Sequence, residues 1–200
     1  MGAESMYQGG SVMSSKQTMT ILVQDRENKD LALRSKSVQV LHSSDVKGLD
    51  AALNLFVLTS ATGLPEIADI VRNANQKHHL RALFIREDVD SKWLPQMFDR
   101  ANLRVMRNTL VHATSEIPKR VINAWAMGAQ EQLIAEAMVI SDRLLVFSCG
   151  MEKFEVPFSS LPALKRIPIN ERSNFEIADD VVIFIGKVQI FISILMLLGM

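Results

Sequence analysis

Carboxylate side chains follow one predicted strand of this 200-residue chain and are its best candidates for chemistry. Glu87 ends the predicted strand at residues 81–87, and Asp88 and Asp90 come directly after it. Open α/β sheets bind ligands and metals at the carboxyl ends of their strands, so these three residues are candidate ligand-binding residues. Asp90 followed by Ser91 is also an ordinary helix N-cap, and we favour that structural role.

Hydroxyl side chains follow the preceding predicted strand. Thr59, Ser60 and Thr62 precede Gly63 in a strand-to-helix loop. The loop has neither the lysine of a P-loop nor the three glycines of a dinucleotide-binding motif. The three hydroxyls are therefore candidate ligand-binding groups without a phosphate-binding signature.

Two other reactive residue types have a simpler structural explanation. His78 and His79 lie near the end of a predicted helix and lack the i, i+4 spacing of a zinc-binding pair. Cys149 precedes the glycine of a predicted hairpin turn, and a nucleophilic cysteine would need a histidine partner. We predict a structural thiol, no catalytic residue, no metal site and no cofactor.

Basic residues are concentrated in one region. Arg104, Arg107, Lys119 and Arg120 are the candidate nucleic-acid contacts, with Arg100 beside them. No helix-turn-helix or aromatic-interleaved motif accompanies them, and the chain has 22 basic and 22 acidic residues. A balanced chain has no overall field that attracts nucleic acid, so we expect a solvated face and no nucleic-acid partner.

Composition indicates a globular cytoplasmic protein. The apolar fraction of 48% is sufficient for a core, and a single cysteine cannot form an internal disulfide. The first residues lack the basic and apolar regions of a secretory signal. We predict a disordered tail over residues 1–18.

The periodicity of the middle region predicts parallel α/β structure. Residues 19–47 are expected to be loosely ordered, with a short strand at Met19–Val23. Residues 48–115 then show short apolar runs alternating with helical spacing, which predicts a small Rossmann-like βαβαβ unit. The apolar stripe of residues 116–139 predicts a long linking helix, in which Gly128 could introduce a bend.

The final part of the chain, residues 140–200, is predicted to be a small α+β domain. Two strand-like runs around residues 149–152 predict a β-hairpin with a glycine-containing turn. A short helix capped by Ser159 or Ser160 and one more strand near residues 173–180 follow.

Residues 137–180 contain a pattern that resembles a small bacterial α/β domain family of unknown function. The residues that carry the pattern are Leu144, Val146, Gly150, Val156, Pro157, Leu161, Pro162, Leu164, Glu171, Arg172, Phe175 and Ile177. The resemblance implies a hairpin, a short helix and further strands. Because members of such families often lie beside small toxin-like genes, it also implies an antitoxin-like role.

The last 20 residues, 181–200, are almost wholly apolar and depart from the family pattern. Shifting their codons by one base permits Gly, Trp and Asp-Ile-His in the order that the family has, so we hypothesise a frameshift near codon 180. A membrane anchor is a second interpretation, although Lys187 would be costly in the hydrocarbon core. The third interpretation is a buried strand pair around Gly186, and we favour it as the local structure of this stretch.

The sequence therefore favours a non-enzymatic interaction or regulatory module that binds a protein partner or a second copy of itself. One alternative is a ligand-binding or enzymatic α/β domain that uses the loops after the first two strands. The other alternative is a tail-anchored protein, in which only residues 181–200 would touch a membrane.

Overall fold

A parallel β-sheet forms the first half of the chain in the computed structural model, which describes residues 19–24, 38–42, 49, 52–103, 108–186 and 189–198. Its strands are β1 (Met19–Val23), β2 (Val38–His42), β3 (Asn54–Ser60), β4 (Leu80–Arg86) and β5 (Thr109–His112). Their order is β2-β1-β3-β4-β5, and every neighbouring pair is parallel. The chain therefore adds β2 on one side of β1 and the remaining strands on the other.

Helices cover both faces of this sheet. They are α1 (Leu64–Gln76), α2 (Leu94–Arg100, after a short 3-10 turn) and α3 (Glu116–Met127). Alternate residues of a strand point to opposite faces. Accordingly Leu55 and Val57 of β3 pack in one cluster with α1 and α2, whereas Phe56 and Leu58 pack in another with α3.

The structure has the strand predicted at Met19–Val23, and it corrects the prediction of a loosely ordered segment at Val38–His42, which form β2. β1 lies inside the sheet between β2 and β3, and all five of its residues are buried. β2 pairs with β1 along its whole length. Short strands of this kind obtain their stability from distant partners, which local polarity does not reveal. Residues 25–37 and 43–48, like the predicted tail over 1–18, lie outside the described residues.

The prediction of one long helix over residues 116–139 is wrong beyond Met127. Gly128 adopts a left-handed conformation, with φ of 72°, and ends α3. Glycine is the residue that adopts this conformation without a steric penalty, and it commonly terminates helices. Residues 134–140 form a strand, β6 (Ile134–Ile140), whose partner is the next strand along the chain.

Two antiparallel three-stranded sheets make up the final part of the chain. One contains β6, β7 (Arg143–Ser148) and β8 (Lys153–Pro157), and the other contains β9 (Phe175–Ala178), β10 (Val181–Phe184) and β11 (Ile190–Ser193). Short helices α4 (Pro162–Lys165) and α5 (Ile194–Leu198) complete it. The fold class is mixed α/β, as predicted, and the hairpin of β7 and β8 is confirmed.

The apolar C-terminal stretch forms a hairpin, as favoured from the sequence, because β10 and β11 pair antiparallel. Val182, Phe184 and Ile192 are buried in a cluster with Phe158, whose ring contacts that of Phe184 edge to face at 5.9 Å. Among the helices that the structure describes, none is both long enough and apolar enough to cross a membrane. The predicted cap of α4 is wrong: Leu161 is its N-cap residue, and the Ser160 hydroxyl donates to the Pro157 carbonyl instead.

Candidate functional site

The loops after β3 and β4 meet at the carboxyl edge of the parallel sheet, and Asp88 joins them. Its Oδ2 accepts hydrogen bonds from the Thr62 amide at 2.9 Å and from the Thr62 hydroxyl at 2.8 Å. Its Oδ1 accepts one from the Asp90 amide at 2.9 Å. The structure thus brings together four predicted site residues, Ser60, Thr62, Asp88 and Asp90, of which Ser60 also contacts the Asp88 carboxyl.

These contacts stabilise the ionised form of the Asp88 carboxyl. Partial burial by itself would raise the pKa of Asp88. The hydrogen bonds from Thr62, Asp90 and Ser60 outweigh that effect and lower the pKa below its ordinary value. A charged carboxylate that accepts several amide and hydroxyl hydrogen bonds holds both loops in place.

Gln24, which sequence reasoning missed, occupies the position between β1 and β3. Its side-chain amide donates to Glu66 Oε2 at 2.8 Å, and its carbonyl accepts the Thr59 hydroxyl. A Cβ atom at residue 63 would meet the Gln24 amide, so Gly63 provides the space for this side chain. The only sequence signal for Gln24 was its position directly after the short apolar run of β1.

Two backbone amides of this loop, those of Thr62 and Gly63, are already engaged. The Gly63 amide donates to Ser60 Oγ at 3.1 Å, and the Thr62 amide donates to Asp88. A phosphate group would need such amides, and it would also meet the negative charge of Asp88. The arrangement is therefore suited to fixing loop geometry rather than to binding an anion.

Glu87 and His112 lie on the neighbouring strands at the same edge. The Glu87 amide donates to the His112 carbonyl at 2.9 Å, and the Glu87 side chain is exposed. The His112 side chain is buried, and its Nδ1 lies 2.7 Å from the Thr114 carbonyl. Burial lowers the pKa of His112 and Arg86 lowers it further, although the Thr114 carbonyl and Glu87 oppose this effect. The neutral imidazole donates to Thr114 and is part of the fold.

The predicted basic cluster is described only in part. Arg104 and Arg107 lie outside the described residues. Lys119 forms an ion pair with Glu116 at 3.6 Å. Arg120 donates from Nη1 to the Ala135 carbonyl at 3.1 Å and so connects α3 to β6.

Cys149 is a buried thiol at the junction between the parallel sheet and the hairpin. Burial raises its pKa to about 12, so it carries no thiolate at neutral pH. The Trp125 indole donates to the Cys149 carbonyl at 2.9 Å. His78 and His79 follow the end of α1, and no group of three or more metal-binding side chains occurs among the described residues.

A second candidate site is a groove in the C-terminal unit, with a volume of about 500 Å³. It lies between the segment after α4 and the hairpin of β10 and β11. Apolar side chains contribute most of its wall, and Arg166 and Glu171 are its charged members. The groove is lined by Ala163, Arg166, Ile167, Pro168, Glu171, Phe184, Ile185, Gly186, Gln189, Ile190 and Phe191.

Exposed apolar side chains occur on β11, which lines this groove, and on α5, which follows it. Phe191 is 52% exposed, and Leu195 and Met196 of α5 are 66% and 55% exposed. Ile185, which lines the groove, is also exposed. We call these four residues the C-terminal apolar surface. The sequence signalled it only as an apolar stretch, because the pattern does not show which residues point into the core and which point outward.

No family model, curated protein or solved structure matches the chain. The resemblance of residues 137–180 to a bacterial domain family therefore stays a prediction.

Proposed function

We propose that the chain is a non-enzymatic interaction module that binds a protein partner through the C-terminal apolar surface. The observation that carries this proposal is the exposure of Phe191, which lines an apolar groove, together with that of Leu195 and Met196 on the helix that follows. Large apolar groups that stay in contact with water on a folded domain are typical of sites that another protein covers. Burying such a side chain from full exposure is worth roughly 1.5 to 3 kcal/mol, and these side chains, which are 52% to 66% exposed, would contribute about half of that.

The arrangement of the hairpin supports this proposal. Val182, Ile192 and Ile194 belong to the core, because all three are fully buried. Phe191, Leu195 and Met196 therefore add apolar surface that the core formed by the described residues does not use. A partner that covers them would remove this surface from water.

The carboxyl edge of the parallel sheet supports a ligand-binding or enzymatic role less well. The Thr62 and Gly63 amides and both Asp88 oxygens are already hydrogen-bonded within the protein. These bonds favour a structural role for Thr59, Ser60, Thr62, Asp88 and Asp90.

We also propose that the parallel sheet and its helices form a Rossmann-like doubly wound unit. Its strand order and the helices on both faces support this assignment. In such sheets the ligand position lies where the strand order reverses, between β1 and β3. In this chain Gln24 and its partners lie there.

The family resemblance adds a narrower hypothesis about the partner, namely that it is a small toxin-like protein in the cytoplasm. The hypothesis of a frameshift near codon 180 bears directly on the binding proposal, because all four residues of the C-terminal apolar surface lie after that codon. The nucleotide sequence across codons 175 to 200 tests it, and a confirmed frameshift would mean that this surface is not part of the native C-terminus.

Site-specific photo-crosslinking in cells tests the proposal. A photoreactive phenylalanine analogue is placed at Leu195, and at Val89 as the control, because Val89 is 85% exposed but lies near the carboxyl edge of the parallel sheet. The proposal predicts one discrete crosslinked protein, or a crosslinked second copy, from position 195 and not from position 89. Equal crosslinking from both positions, or none from position 195, would overturn it.

A further inference from the structure

β11 is an edge strand with a strand partner on one side only in the part of the chain that the structure describes. The Ile194 amide donates to the Asp180 carbonyl at 2.9 Å, and Ile192 is directly opposite Val182 on β10. Backbone groups alternate sides along an antiparallel strand, so those of Ile192 point toward β10. The amide and carbonyl of Phe191 therefore point to the open edge.

This edge lacks the features that usually prevent strand pairing. Natural edge strands carry charged residues or proline, because an open edge accepts strands from other chains. The other edges of the two antiparallel sheets have such residues: β6 has Glu136, β8 has Lys153, Glu155 and Pro157, and β9 has Glu176. β11 consists of Ile190, Phe191, Ile192 and Ser193, without charge or proline.

We propose that β11 pairs with β11 of a second copy of this chain, antiparallel and about a two-fold axis at Phe191. This inference rests on the proposed function and names a second copy, in place of a toxin-like protein, as the partner. An open strand edge is complementary to itself under two-fold rotation, since each copy offers the same donors and acceptors. The two sheets join into one sheet of six strands.

The residues around the axis favour a second copy over a charged partner. The central pair exchanges two hydrogen bonds, from each Phe191 amide to the other Phe191 carbonyl. The two exposed rings lie on the same face directly across the axis, where a cross-strand aromatic pair is stabilising. Among the described residues of β10, β11 and α5 there is no charged side chain to match a charged partner.

Sedimentation equilibrium of the purified full chain tests this inference, with two variants of the same residue. The wild type should be a dimer with a defined dissociation constant. Phe191→Pro removes the outward amide and should weaken dimerisation by at least about tenfold more than Phe191→Ala, which retains that amide. Because the Phe191 amide does not bond to β10, Phe191→Pro should remain folded.

Ile192→Pro is the matched control, since it removes an amide that points toward β10. It should lower the unfolding temperature clearly more than Phe191→Pro does. A monomeric wild type, open-ended aggregates, or equal dimerisation of Phe191→Pro and Phe191→Ala would overturn the inference. A monomer that still crosslinks another protein from position 195 would overturn the dimer alone and leave the proposed function standing.

Discussion

Individual polar side chains at the carboxyl edge of the parallel sheet connect its loops to one another. Asp88 accepts hydrogen bonds from two loops, and Gln24 connects β1 to β3 and α1. The sequence assigned Thr62, Asp88 and Asp90 to the loops after two predicted parallel strands, and such loops lie at the same edge of a sheet. The sequence did not reveal the role of Gln24, because its hydrogen bonds to Thr59 and Glu66 depend on the position of β1 inside the sheet.

The Cys149 thiol should be unreactive in the native protein. Burial raises its pKa to about 12, so neither the thiolate nor access is available at pH 8. Alkylation followed by mass spectrometry should give almost no product under native conditions and complete modification in denaturant. Rapid native alkylation would contradict the buried position of Cys149 at the junction of the parallel sheet and the hairpin.

His112 should make the stability depend on pH. Its folded-state pKa lies below the ordinary value of 6.5, so the unfolded state binds the proton more tightly. The stabilising contribution is therefore fully present above pH 6.5 and decreases as the pH falls below that value. Urea unfolding between pH 7.5 and pH 5 should show a smaller decrease for His112→Gln than for the wild type. Parallel pH profiles for the two proteins would show that His112 is not the source of the dependence.

At the scale of the secondary structure elements, Gly128 determines where α3 ends. The apolar stripe of residues 116–139 suggested one helix, but the left-handed glycine stops it and β6 follows. The apolar residues of β6 fit a helical pattern as well as a strand pattern over this short length. Pairing with β7 decides between them, and local sequence does not contain that information.

Replacing Gly128 should destabilise the protein through backbone conformation alone. Gly128→Ala should cost about 1 kcal/mol, because alanine avoids the left-handed region. The added Cβ would meet no atom of the described residues within 4 Å, so no steric clash adds to this cost. Gly128→Asn should lower the free energy of unfolding by less, since asparagine tolerates this conformation. Urea denaturation measures both values. Equal unfolding free energies for Gly128→Ala and the wild type would contradict the role of Gly128 as the helix terminator.

In the molecule as a whole, the parallel sheet and the C-terminal unit share a core. Ala135 and Cys149 are buried in one cluster with Phe56, Phe84 and Val121. Strand and helix periodicity predicted β3, α1, β4, α2 and β5, because each has a strong local pattern. The packing of β6 and β7 against α3 is a long-range property, and no local pattern reveals it.

The C-terminal apolar surface is the feature that connects this fold to function. The hairpin of β10 and β11 buries one side in the core and leaves Phe191 exposed on the other, and Leu195 and Met196 are exposed on α5, which follows β11. Our proposal is that this surface binds a protein, whether another protein or a second copy.

The dissociation constant of the crosslinked partner, measured for purified wild type, Leu195→Lys and Val89→Lys, tests that proposal. A lysine at the centre of an apolar contact should weaken binding by about tenfold or more, which corresponds to about 1.4 kcal/mol. We expect this loss for Leu195→Lys and wild-type affinity for Val89→Lys. Equal affinities of all three proteins would mean that the C-terminal apolar surface does not bind the partner.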